Sequence, residues 1–198
     1  MRNLCLCVIL SLALYAAADV GPDGGYSGSY AGGGPFVRYY LYDLSDTSSS
    51  FGGHFLVLGG RGYGAVNGWL RLGGCGGGSV SVLGEVDAEN NESGVGFGGL
   101  TVEPYLELTD WLTVSLPVLL GGGGYEFRHL IAEYPDHEYR YEMYESAFWL
   151  VDPCVEVMFK PNPFIGIGLQ GGYALLLKRE EVFESSAYVG LAVYVGMP

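Results

Sequence analysis

The alternation of apolar and polar positions is clearest between Phe148 and Leu177. In the first half Val151, Val155, Val157 and Phe159 share one parity, and Asp152, Cys154, Glu156, Met158 and Lys160 share the other. In the second half Ile165, Ile167, Leu169, Leu175 and Leu177 alternate with Gly166, Gly168, Gln170, Gly172 and Ala174. Successive side chains of a strand point to opposite faces, so a period of two predicts two strands, here joined by a turn at Pro161-Asn162. One face of the pair is continuously apolar, and the other is tiny or charged. Strands of a membrane-spanning barrel carry that pattern, with lipid against one face and a narrow polar lumen on the other.

The same reading places six more strands. The first is Pro35 to Asp43, where Arg38, Tyr40 and Tyr42 oppose Val37, Tyr39 and Leu41. The second runs from Phe51 to Val66 and the third from Trp69 to Leu83. They meet at Asn67-Gly68, the strongest short hairpin signal, whose tight turn puts both residues at positive φ. The fourth is Gly94 to Leu108, with Leu100, Val102, Leu106 and Leu108 opposite Thr101, Glu103, Tyr105 and Glu107. A turn at Thr109-Asp110 leads to the fifth, Trp111 to Phe127, and the last runs from Ser185 to Val195. Pro104 and Pro117 each remove a ladder donor, which predicts bulges there.

Connections after the second, fourth and sixth strands are very short. Those after the first, third, fifth and seventh are longer, polar and mostly acidic: Ser45–Ser50, Gly84–Ser93, Arg128–Met143 and Lys178–Glu184. Short turns on one side and long loops on the other are the asymmetry of outer-membrane barrels. The expected fold is therefore all-β: an eight-stranded antiparallel up-and-down transmembrane β-barrel with short periplasmic turns and longer extracellular loops. A soluble barrel with the Val/Leu face inward is the rival. The small-residue face, which suits a tight lumen, and the loop asymmetry weigh against it.

The opening residues support export. Arg2 precedes an apolar run from Leu4 to Tyr15 and a small-residue site at Ala16-Ala17-Ala18, the layout of a cleaved signal peptide. This gives three parts: a signal peptide at 1–18, a Gly-rich periplasmic leader at 19–34, and a barrel at 35–198. Cys5 and Cys7 leave with the signal. Cys75 and Cys154 remain, both on lumen parity, and read as two small interior fillers rather than a disulfide. The 198 residues carry a formal charge of −13, which argues against nucleic acid as a partner.

The C-terminal stretch Tyr188-Val189-Gly190-Leu191-Ala192-Val193-Tyr194-Val195 adds a family likeness. With the strand pattern of Pro35 to Val195, it resembles the small bacterial outer-membrane β-barrels, the size class of the OmpA membrane domain, and among them uncharacterised members. In that class an aromatic residue, a glycine and alternating hydrophobics near the C-terminus form an assembly signal, which here falls on Tyr188, Gly190, Val193 and Val195. The family usually ends on an aromatic residue, whereas Gly196-Met197-Pro198 follow here. The resemblance implies a monomer in the outer membrane of a Gram-negative cell, with lipids, lipopolysaccharide and the barrel-assembly machinery as partners.

Parity gives the candidate site. Arg38, Arg61, Arg71, Glu103, Glu107, Asp152, Glu156 and Lys160 all point inward, and charges in a narrow interior must pair. A static, side-chain-filled lumen in an envelope structural or surface protein is the expected outcome. A narrow ion or small-solute channel is the alternative. A further alternative is surface binding, adhesin-like, through the Arg128–Met143 loop. There Glu133, Asp136, Glu138 and Glu142 would meet a cation or a partner surface. Trp69, Trp111 and Phe164 follow the three turns, either as an interfacial belt or as a cap on the mouth. No catalytic, cofactor or metal site is expected. His54, His129 and His137 lack ligand spacing, and no nucleophile elbow, phosphate loop or zinc helix motif occurs.

Overall fold

A computed structural model describes residues 31–41, 55–80, 93–133, 139–177 and 186–196, without the side chains of residue 93, residues 125–144 and residue 146. The strands are β1 (Ala31–Leu41), β2 (Phe55–Asn67), β3 (Leu70–Val80), β4 (Ser93–Thr109), β5 (Leu112–Ser115), β6 (Val118–Glu133), β7 (Tyr139–Asn162), β8 (Ile165–Leu176) and β9 (Ser186–Val195). All pairings are antiparallel between sequence neighbours, and β9 pairs back onto β1 with Arg38 opposite Gly190. The sheet is thus closed. β5 and β6 are two segments of one strand, each pairing with β4 and with β7, so the barrel has eight staves.

The faces follow parity. Asp152, Cys154, Glu156, Met158 and Lys160 are buried in the lumen, while Val155, Val157 and Phe159 stand on the outer surface. On β8, Gly166, Gly168 and Gln170 are interior, and Ile165, Ile167 and Leu169 are exposed. Leu58, Leu72, Leu100, Leu106, Leu120, Trp149, Val189, Leu191 and Val193 extend the apolar exterior around the barrel. So large an exposed apolar area suits a lipid environment, not water. In the interior, the rival soluble arrangement would require the charges outside, and they are not.

Several boundaries differ from the sequence expectation. β1 starts at Ala31, not Pro35, because Ala31–Gly34 pair with Gly64–Arg61 of β2. The three turns each sit later than expected, at Gly68-Trp69, Asp110-Trp111 and Pro163-Phe164. The Asn67-Gly68 turn with two positive φ values does not form. Among described glycines only Gly196 has a positive φ, at 89°. Instead the Asn67 side chain closes the turn: its Oδ1 accepts from Trp69 N at 3.2 Å and Leu70 N at 2.9 Å. Asn162 repeats this with Phe164 N at 2.9 Å and Ile165 N at 3.0 Å. An Asn side chain that replaces a backbone acceptor removes the need for left-handed residues. A register shift precedes each of the three turns, at Ala65/Asn67, Glu107/Thr109 and Phe159/Asn162.

The prolines behave unequally. Pro117 lies in the break between β5 and β6, but the expected bulge does not form: the register with β4 and with β7 is the same on both sides of it. Pro104 carries no bulge: the pairing with β3 runs straight through Leu70↔Pro104. Its missing donor faces Leu116, which donates to Pro104 O at 2.9 Å and lies in the break beside Pro117. The two defects share one place, so β4 needs no distortion of its own.

The expected long loop at Arg128–Met143 is largely a hairpin. Among the described residues β6 and β7 pair out to Glu133↔Tyr139, β4 pairs with β6 out to Phe127, and β8 pairs with β7 out to Leu150. The described β6–β7 pairing thus forms a ribbon that continues at the loop end past those two residues. Glu133 and Glu142 belong to it, while Asp136 and Glu138 lie outside the described residues. Also outside are Tyr42, His54, His137, the remaining loop segments, and the expected signal peptide.

Candidate site in the barrel lumen

Each lumen arginine lies between aromatic rings and meets a carboxylate, Arg38 and Arg61 across the bore and Arg71 on the adjacent strand. Arg38, on β1, has its guanidinium 4.5 Å from the Phe36 ring centre and 4.6 Å from that of Tyr188. Its Nη1 meets Asp152 Oδ2 at 2.8 Å and its Nε donates to Gln170 Oε1 at 3.0 Å. Tyr188 donates to the other Asp152 oxygen at 2.8 Å. The planar, weakly hydrated guanidinium suits such a slot, because its faces stack while its edge forms hydrogen bonds.

Arg61, on β2, sits nearer the turns. Its Nη2 reaches Glu156 Oε1 at 2.9 Å, and Glu103 Oε2 lies 3.4 Å away. The second contact lacks hydrogen-bond alignment, and Glu103 Oε2 has no hydrogen-bonded partner. Glu156 Oε2 accepts from Tyr194 at 2.6 Å and from Gln170 Nε2 at 2.5 Å. Arg71, on β3, bonds Glu103 Oε1 at 3.1 Å, and its guanidinium is 4.7 Å from the Tyr63 ring centre and 4.1 Å from that of Tyr105. Rings and guanidiniums thus alternate from Tyr105 through Arg71, Tyr63 and Arg61 to Tyr194.

Lys160 closes the turn end, with Nζ 2.9 Å from Glu107 Oε1. Glu107 has the expected inward parity, but it stands at the rim with its side chain 38% exposed. The other seven charged residues of the set are buried. Toward the loops the lumen turns apolar: Tyr40, Val57, Phe148, Leu150 and Ala174 pack together with Phe55 and Phe97. Tyr40 stacks flat on Phe55 with ring centres 4.9 Å apart.

Small residues make room for this filling. A Cβ at Gly172 would lie within the Tyr188 ring, and one at Gly190 would come within 2.9 Å of Arg38 Cγ. A Cβ at Gly168 would meet Glu156 and Tyr194 at 3.0–3.1 Å. The assembly-signal residues divide by face: Tyr188 is in the lumen network and Gly190 beside Arg38, while Val193 and Val195 are exposed. The turn aromatics were open between belt and cap. Trp111 takes the outer side, packed edge-on at 5.7 Å against Phe159 of the exterior face.

Sequence reasoning named the charges but not their covers. Tyr63, Tyr105, Tyr194 and Gln170 were absent from the candidate set, and Tyr188 had been assigned only to assembly. A signal exists in the two-residue spacing on lumen parity: Phe36-x-Arg38-x-Tyr40 and Arg61-x-Tyr63. His129 lies in the ribbon strand β6. Among the described residues no group of His, Cys, Asp and Glu is placed to hold a metal ion.

Cys75 and Cys154 are both buried free thiols. The β4 and β5/β6 staves separate them, and at about 4.8 Å per strand their backbones lie well beyond the ~7 Å limit for a disulfide. Denatured protein, purified without reductant, is expected to take up alkylating reagent at both cysteines. Mass spectrometry that finds them joined to each other contradicts the register.

Comparison with solved structures gives three small barrels that span this one. Neisserial surface protein A (NspA) has a TM-score of 0.57 at 12% identity, covering 86% of this chain and 98% of that one. Ail, the attachment invasion locus protein of Yersinia pestis, has 0.50 at 10%, covering 85% and 96%. The N-terminal β-barrel domain of Pseudomonas aeruginosa OprF has 0.50 at 9%, covering 84% and 96%. The fold is that of the small outer-membrane β-barrels. No family model and no curated protein matches the sequence. At such identities the likeness concerns the fold alone, so what a small outer-membrane barrel of this kind does must be argued from its own lumen and surfaces.

Proposed function

We propose that the protein is an integral outer-membrane barrel with a closed lumen, serving a structural or surface role in the envelope of a Gram-negative cell. The observation that carries this reading is the filled bore. Arginine–aromatic stacks and their carboxylates occupy the turn half, and an apolar cluster occupies the loop half. An ion crossing it would have to leave water among the packed rings of the loop half. The chain has no role for a catalyst in this reading. Its partners are outer-membrane lipids, lipopolysaccharide and, during biogenesis, the barrel-assembly machinery. The segment 1–18 acts as a cleaved export signal.

Planar bilayers holding the refolded protein are expected to show no ordered, sustained conductance. Stepwise currents insensitive to protein concentration would favour the channel. In cells the protein is expected in the detergent-extracted envelope fraction, with heat-modifiable gel mobility. Recovery in the soluble periplasm would refute the location.

A second reading rests on the ribbon formed by β6 and β7 beyond Phe127 and Leu150. A paired ribbon at the loop end presents a contact surface to a partner outside the cell. External protease is expected to cut within Arg128–Met143 in intact cells and to leave the barrel fragment protected.

A further inference from the structure

We propose that the turn half of the lumen is a hydrated chamber that holds bound water, communicates with the turn rim past Lys160 and Glu107, and is sealed from the loop rim. Buried polar atoms nearly always have a partner, and a protein group that lacks one is satisfied by internal water. Seven buried side-chain atoms here have none: Arg61 Nε and Nη1, Tyr63 Oη, Thr101 Oγ1, Glu103 Oε2, Thr113 Oγ1 and Ser115 Oγ. All seven belong to the turn half.

The register arranges them as a path. Thr113 pairs with Glu107 on one side and Met158 on the other, one step inside the Lys160–Glu107 contact. Ser115 comes next, opposite Glu156, whose other contact is Arg61. Glu103 lies 3.4 Å from Arg61 and is followed along β4 by Thr101, whose β3 neighbour is Gly73. Hydroxyls, two free guanidinium N–H directions and one carboxylate oxygen supply both donors and acceptors, which a water cluster requires and a lone ion does not. The adjacent charges balance: Arg61 and Arg71 against Glu103 and Glu156.

The loop half differs in kind. Asp152, Tyr188, Gln170 and Arg38 hold one another, and Ser186 Oγ donates to Leu41 O at 2.7 Å. Beyond them lies the apolar cluster around Tyr40, Phe148 and Leu150. Water has partners on one side of Arg38 and none on the other. The turn rim, in contrast, carries the Lys160–Glu107 pair, whose carboxylate is partly exposed, and solvent competes readily for such a pair.

This inference deepens the closed-lumen reading. Sustained conductance overturns both, whereas a non-conducting barrel with a dry turn half overturns only this one. Solution NMR of the wild-type barrel in detergent micelles is the test. Cross-relaxation between water and the backbone amides of Thr101, Glu103, Thr113 and Ser115 is expected, with none at Phe148, Leu150 or Ala174. Signals from both halves, or from neither, sink the proposal. Direction is read with Ser115→Cys in a Cys75→Ala, Cys154→Ala background, its folding checked by heat-modifiable mobility. Silver ions on the turn face of vesicles should block later alkylation at least tenfold faster than silver ions on the loop face. Equal rates, or faster blocking from the loop face, refute a chamber open to the turns.

Discussion

Glu156→Leu is expected to destabilise the folded barrel by about 3–5 kcal/mol, the usual cost of removing one partner from a buried charge pair. The neighbouring Val157→Leu should be nearly neutral. Glu156 is fully buried and holds Arg61, Gln170 and Tyr194 together. Without it, Arg61 keeps only the misaligned Glu103 contact, and two further donors lose their acceptor. Val157 points from the same strand to the apolar exterior, where one more methylene meets lipid. Urea titrations in lipid vesicles compare the two. If Val157→Leu is the more damaging change, the inside and outside of β7 have been exchanged.

Gly172→Val should destabilise the barrel by about 1–3 kcal/mol through overpacking. Its side chain would occupy the place of the Tyr188 ring. Tyr188 cannot retreat without releasing Asp152 and uncovering Arg38. The two effects are therefore coupled. In a Tyr188→Ala background the same Gly172→Val change should cost much less, because the space is already open. Full additivity in that double-mutant cycle would show that the ring and the glycine do not share a site.

Much of the fold was legible because the alternation is nearly unbroken where the wall is thickest in side chains. Val155 and Glu156 could be assigned to opposite faces from period two alone. The partners of each charge could not. Arg38 on β1 meets Asp152 on β7 across two intervening staves, and that choice depends on strand tilt and register, which no local pattern records. Two of the three turns fall later than the dipeptide signal indicates because Asn67 and Asn162 act through their side chains, whereas that signal assumes a backbone solution. The Arg128–Met143 segment read as a loop since its tyrosines and glutamates fall on both parities.

The wall of the barrel through β2, β3, β4 and β6 is built largely from glycine. Gly60 pairs with Gly76, Gly76 with Gly98, and Gly98 with Gly122, while Gly62 pairs with Gly74 and Gly99 with Gly121. Such strands carry almost no information about which neighbour each residue should meet, because a slip of one residue exchanges one bare backbone for another. The few large side chains must supply it. A one-residue slip of β2 would swing Arg61 out of the lumen into lipid, and a slip of β3 would do the same to Arg71. The buried charges then act as proofreading marks during strand pairing: they make every slip that exchanges the two faces expensive, in a stretch of chain whose glycines distinguish such alignments poorly.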